Sequence, residues 1–318
     1  MIEAGTACAA PGERAFGQLE IGEDRLGRTV SLPVAVINGT SDGPTLYVQA
    51  ASDGDELNGV GVIASLTPSL DPATITGAII LVGIVNVYGY QTAQHRNPID
   101  DTKINRTYPG DLDGSSSERI AAATFTIARN ADLILDLHQG STSRMINECR
   151  VRCGPGHTLH DECLELAKVF NCGFILDQKG PDGQLARVAP DEGIPTIDPE
   201  LGGSVGMDST SVEIGVQGVR NVLAYYGFTE GDVSLETQTR AKGFEQYAAP
   251  IGGLITLEPS LGDFVSRGDP LFSITSVFGE HRETVVAAED GIVWRCRRLP
   301  QVATGEYVCT LGTSIDEY

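Results

Sequence analysis

Two short runs carry side chains that ligate metals, and each follows an apolar segment. Asp53-Gly-Asp-Glu56-Leu-Asn58-Gly59 comes after residues 45–51, a Val- and Leu-bearing run with strand character. Asp136-Leu-His138 closes residues 132–137, a second buried-strand pattern. A carboxylate three residues before a glutamate, at the mouth of a buried strand, can aim two anionic oxygens at one point beyond the sheet. Crevices outside strand C-termini are where α/β sheets place their sites. An imidazole from the second run completes a set of Asp53, Glu56 and His138. Three protein ligands leave the fourth tetrahedral position of a catalytic zinc open to water. Either run alone has a bland reading, since turn acids usually cap or are solvated and a strand-end histidine is commonly an ordinary hydrogen-bonding group.

Rival motifs fail on context. Gly59-x-Gly61-x-x-Ala64 follows a strand and opens a helix, but the next strand ends Ile84-Val-Asn86 without the acid a dinucleotide ribose requires. Gly202-x-Ser204-x-Gly206 matches a nucleophile elbow, yet the only histidine downstream of it is His281. Glu200 and Glu213 both end short apolar stretches. Thr210-x-x-Glu213 reads as a capping box, which accounts for Glu213. Glu200 follows a short strand ending at Ile197 and precedes Gly202-Gly203, so its side chain can sit at a strand mouth. His157 and His160, near a helix start, read as capping or surface residues.

The elements that would position these groups alternate. After a flexible start, strands are expected at 29–37, 45–51, 78–85, 132–137 and 174–176, with helical periodicity at 59–66, 115–130, 159–171 and 212–226. Continuous apolar strands suit burial on both faces. The fold class is therefore α/β: a mixed central sheet with helices on both faces, over residues 1–245. From 246 to 318 the chain holds short strands punctuated by Gly-Asp pairs and reads as a small all-β domain. Its pattern resembles the hammerhead of biotinyl and lipoyl carrier domains in shape alone, because no lysine follows Lys242 to carry a cofactor.

Composition excludes several functions. Of 318 residues, 22 are basic and 43 acidic, a net charge of −21, which argues against nucleic-acid and anionic-membrane partners. No apolar run reaches the ~18–20 residues of a membrane span. The N-terminus has no basic region before an apolar stretch, and seven scattered cysteines suit reduced thiols, so a cytoplasmic location is expected. A homo-oligomer is compatible with this composition.

The order Asp-Gly-Asp-Glu56, Asn105-Arg106-x-Tyr-Pro-Gly110, Asp136-Leu-His138 and Pro199-Glu200-Leu-Gly-Gly203 resembles the succinylglutamate desuccinylase/aspartoacylase family, a branch of zinc carboxypeptidase-like hydrolases. The resemblance covers most of the chain. It implies zinc ligands at Asp53, Glu56 and His138, a general base at Glu200 and a carbonyl-polarising Arg96. It also implies a clamp for a substrate carboxylate at Asn105 and Arg106. One departure stands out: the family has histidine where this chain has Asp53. A site of two carboxylates and one imidazole is harder and carries −2 before the metal, so Mn²⁺ or Fe²⁺ would compete better with the single Zn²⁺ expected per chain. His95, beside Arg96, can reach the site as a replacement ligand. The implied activity is hydrolysis of the amide bond of a small N-acyl amino acid or related carboxylate. The alternatives are a carboxypeptidase or amidase on a small peptide, and a non-catalytic binding protein with a degenerate metal site.

Overall fold

Alternation of side chains sets the central layer. In the computed structural model, which describes residues 1–141, 143–203, 206–233 and 235–318, the strands Ser41–Ala50, Thr76–Val82 and Leu133–Leu137 each send alternate residues to opposite faces. Leu46, Val48, Ile79, Leu81, Leu133 and Leu135 meet the helices Asn58–Leu66, His160–Phe170 and Ser209–Tyr225 on one side. Tyr47, Ile80, Val82 and Ile134 meet the helix Ser116–Ala128 through Ile120 and Phe125 on the other. Each fully buried Leu, Ile or Val contributes roughly 1.5–3 kcal/mol relative to exposure, so both helical layers are needed.

Across the sheet, the central strands run Thr29–Asn38, Thr76–Val82, Ser41–Ala50, Leu133–Leu137, Thr196–Glu200, Glu148–Val151, Phe174–Asp177 and Thr239–Ala248. Ser41–Ala50, Leu133–Leu137 and Thr196–Glu200 are mutually parallel, so their C-terminal ends open on the same edge. Glu148–Val151 runs antiparallel to Thr196–Glu200, with Glu148 opposite Glu200 and Arg150 opposite Asp198. That reversal brings residues from the start of one strand to the mouth of its neighbour.

Thr239–Ala248 spans residue 245 and pairs with Phe174–Asp177 on one side and Tyr307–Glu317 on the other. The sheet then continues through Gly291–Arg297 and Phe264–Val265. A second, four-stranded antiparallel sheet comprises His281–Val286, Pro270–Thr275, Gly253–Leu257 and Gln301–Val302. The described residues after 245 contain no helix. Trp294 is fully buried at the junction, edge-on to Phe174 and Phe244 at 5.5 and 5.7 Å between ring centroids.

Two local expectations need correction. The N-terminal segment is ordered: Ile2–Ala4 pairs with Ala7–Ala9, and Glu13–Glu23 forms the edge strand beside Thr29–Asn38. Ala4, Ala7 and Ala9 are buried against Leu32 and Val34, and small side chains in such a spot leave little hydrophobic signal in the sequence. The cap of the helix Ser209–Tyr225 is Asp208, whose carboxylate accepts the Ser211 N–H at 3.0 Å, and Thr210 lies inside the first turn. Among the described residues no helix is long and apolar enough to cross a membrane.

Candidate active site

Three parallel strand ends hold the site. The chain leaves Ser41–Ala50 through Ala51, in the left-handed region at φ 54°, and turns so that Asp53 and Glu56 point into the crevice, 3% and 5% exposed. Gln139 fixes that turn: its Oε1 accepts the N–H groups of Leu57 and Asn58 at 2.8 and 2.6 Å, capping the helix Asn58–Leu66. Gly59 and Gly61 serve this packing. A Cβ on Gly59 would come within 2.8 Å of Leu137 Cβ, and one on Gly61 within 2.9 Å of Val212 Cγ2. His138 follows Leu133–Leu137 and is bridged to the strand Thr196–Glu200, donating its N–H to Pro199 O at 2.8 Å. That bridge sets His138 and Glu200 side by side.

His138 Nδ1 lies 2.9 Å from Glu56 Oε2 and 3.9 Å from Asp53 Oδ2. The far nitrogen, Nε2, is 3.0 Å from Asp136 Oδ2 and 2.8 Å from Asn105 Nδ2. An outer carboxylate at the far nitrogen is the usual means of orienting a metal-ligating imidazole. Asp53 Oδ1 is buried and accepts no hydrogen bond among the described residues. A buried anionic oxygen without a partner is costly, and a cation removes the cost. Among the described residues, ligand atoms of Asp53, Glu56 and His95 lie within 4.8 Å of one another, with His138 beside Glu56, so the crevice fits a divalent metal.

Electrostatics agree. Burial, followed by the neighbouring Asp53 carboxylate, pushes the Glu56 carboxyl up to about 8. Burial alone would lower His138, but the carboxylates of Asp136 and Asp198 outweigh it and hold the imidazole well above its usual range. In metal-free protein both groups hold protons that the unfolded chain releases at lower pH. Between the unfolded carboxyl value near ~4.3 and about 8, the native state binds more protons than the unfolded state, so Glu56 makes metal-free stability fall as pH rises. Thermal melts of chelator-treated protein should lose Tm from pH 5 to 8, with a shallower slope in Glu56→Gln. Parallel profiles for the two proteins would refute this.

The other residues expected from the sequence divide. Glu200 ends its strand at 7% exposure, bonded to Arg150. Asn105 is buried, and its amide is engaged internally: Oδ1 accepts the Leu185 N–H at 2.9 Å, and Nδ2 faces His138. Arg106 is exposed at the pocket, its guanidinium bonded to the Asn105 carbonyl. Arg96 is not brought to the pocket. It is exposed and donates to the Asp101 carbonyl at 2.8 Å, within a loop pinned by the Asn97–Thr102 bridge. Glu213 is exposed on its helix, as is His281 on its strand; Ser204 lies outside the described residues.

Sequence reading missed four cations and acids that line the pocket: Lys103, Arg150, Asp198 and Arg295. Lys103 Nζ is 3.4 Å from Asp53 Oδ2. Arg150 donates to Glu148 at 2.7 Å and to Glu200, and Glu148 in turn accepts the Trp294 indole N–H. A chain of contacts thus runs from the C-terminal strands to the strand-end glutamate. Arg295, from the strand Gly291–Arg297, makes no ion pair among the described residues.

A model of the succinylglutamate desuccinylase/aspartoacylase catalytic domain matches residues 42–226, more than half of the chain. The chain belongs to this family. Among curated relatives, N-alpha-acetyl-L-2,4-diaminobutyric acid deacetylase of Halomonas elongata is 27% identical over 308 residues, covering 90% of this chain and 87% of that protein. Solved structures share the fold. The product-bound ectoine utilization protein EutE (DoeB) of Ruegeria pomeroyi superposes with a TM-score of 0.86 at 24% identity, over 96% of this chain and 97% of the other. A succinylglutamate desuccinylase of Silicibacter sp. TM1040 gives 0.87 at 22%, over 98% and 99%. The C-terminal strands are thus part of the fold shared with both structures.

Proposed function

We propose that the protein is a metal-dependent hydrolase that cleaves the amide bond of a small N-acyl amino acid or related carboxylate. The observation that carries this reading is the convergence of Asp53, Glu56 and His138 with Glu200 at three adjacent strand mouths. A deacetylase among the relatives supports the amide-cleaving reaction.

Asp53, Glu56 and His138 would hold the metal, with zinc the expected ion. When bound, a divalent ion supplies Lewis acidity, acidifying water and polarising an acyl carbonyl. Glu200 takes the proton from the attacking water as the oxygen–carbon bond forms. It returns that proton to the amine nitrogen as the carbon–nitrogen bond breaks, releasing a carboxylic acid and an amine. Arg150 keeps the Glu200 carboxylate turned toward the crevice, and Glu148 keeps Arg150 there. Asp136 positions His138 by accepting the ring's Nε2–H, and Asn105 adjoins that nitrogen.

Arg106 and Arg295 are guanidiniums at the pocket without a carboxylate partner among the described residues, and they suit the anionic end of the substrate. In a panel of N-acyl amino acids, turnover should require the free carboxylate. Arg106→Ala and Arg295→Ala should each raise KM by about tenfold or more, as expected for a lost charged hydrogen bond, with kcat less affected. Release of C-terminal amino acids from dipeptides, with N-acyl amino acids inert, would favour a carboxypeptidase instead.

One observation favours a second reading. The Lys103 ammonium beside Asp53 could balance its charge without a metal, giving a binding protein with a degenerate site. Such a protein would bind N-acyl amino acids without cleaving them.

A further inference from the structure

We infer that His95 is a metal ligand, supplying the imidazole that position 53 lacks; this rests on the metal-dependent reading above. The loop after the helix Val87–Thr92 carries His95 Nε2 to 3.5 Å from Asp53 Oδ1. One ligand atom from each of Asp53, Glu56 and His95 falls within 4.8 Å of the other two. The ring is held from its far side: Nδ1 lies 2.9 Å from Asp55 Oδ1 and 3.1 Å from Ser141 Oγ. A ring whose Nδ1–H donates to Asp55 presents a bare Nε2 lone pair to Asp53 Oδ1.

That oxygen is buried and accepts no hydrogen bond among the described residues. Two lone pairs facing each other across 3.5 Å repel, and a divalent cation held by both relieves that repulsion. His138 mirrors the arrangement, with Nδ1 toward Glu56 and Asp53 and Nε2 toward Asp136. Two imidazoles, each with an outer carboxylate at its far nitrogen, therefore flank one pair of acids. With His138 beside Glu56, the crevice offers two imidazoles and a glutamate, the donor types of catalytic zinc sites, and Asp53 as an additional oxygen. The departure at position 53 is thus compensated from a different loop.

The test is metal binding itself. Metal-free full-length protein is titrated with Co²⁺ and followed by its visible d–d absorption. His95→Gln should weaken Co²⁺ binding by at least about 100-fold and change the spectrum, since loss of an outer partner alone costs 10–100-fold. Asp55→Asn, which removes only that outer partner, should weaken it by about tenfold. X-ray absorption at the zinc edge of the wild-type protein should count two imidazoles, an outcome that does not depend on any variant folding. Unchanged affinity and spectrum in His95→Gln, or a single imidazole in the wild type, overturns the role of His95 while leaving the metal reading intact. Wild-type protein that binds neither metal overturns both.

Discussion

Glu200→Gln should lower kcat by about 10³-fold while the protein keeps its metal. The amide preserves size and can still accept from Arg150, but it cannot take a proton from water or pass one to the leaving amine. Positioned acid–base groups contribute 10²–10⁴-fold. Because Glu200 sits beside the proposed ligand set rather than in it, metal content and Tm should change little. Turnover of N-acyl amino acids at an undiminished rate would remove Glu200 from the mechanism, and loss of metal along with activity would make it a ligand instead. KM should stay near the wild-type value, since the substrate-facing guanidiniums are untouched.

The second large effect is on stability. Arg150 lies between Glu148, whose side chain is fully buried, and Glu200, whose side chain is 10% exposed. Burial pushes the Glu148 carboxyl up, and the Arg150 charge is the main influence holding it down. Arg150→Met leaves two buried carboxylates near one another without their ion-pair partner. Breaking a buried pair from one side costs about 3–5 kcal/mol, whereas removing both partners is often neutral. Chemical denaturation should show a loss of that size for Arg150→Met and a substantial recovery in Arg150→Met/Glu148→Leu. If the double variant is no more stable than the single, the cost lies in packing and not in unpaired charge. Activity should fall in both, because neither holds Glu200 in place.

Much of the architecture was legible in the sequence because it follows from periodicity. Apolar runs at 45–51 and 132–137 became adjacent parallel strands, and the acids and histidine just beyond them converged because parallel strands end on one edge. The Pro199-Glu200 motif located the third strand mouth for the same reason. What escaped depends on pairings between distant segments. Arg150 and Glu148 reach Glu200 only because Glu148–Val151 runs antiparallel to its neighbour, a reversal that the residues themselves do not announce. Arg295 reaches the pocket because the C-terminal strands extend the central sheet. Arg96 and His95 are adjacent in a loop, and no period sets loop side-chain direction. There the backbone turns His95 inward and Arg96 outward, to the Asp101 carbonyl. Lys103, three residues before the family-like Arg106, sits close to Asp53 through the same loop.

The overall charge of −21 likewise misstates the site. Lys103, Arg106, Arg150 and Arg295 line the crevice beside Asp53, Glu56, Asp198 and Glu200, so the site is far more cationic than the chain as a whole.

The most direct measurement is metal content of the purified protein, paired with deacylation of an N-acyl amino acid before chelation, after chelation and after metal is returned. We expect one equivalent of a divalent metal per chain, turnover that disappears with the metal, and recovery on adding zinc or manganese. Deacylation that continues in fully stripped protein would contradict the account.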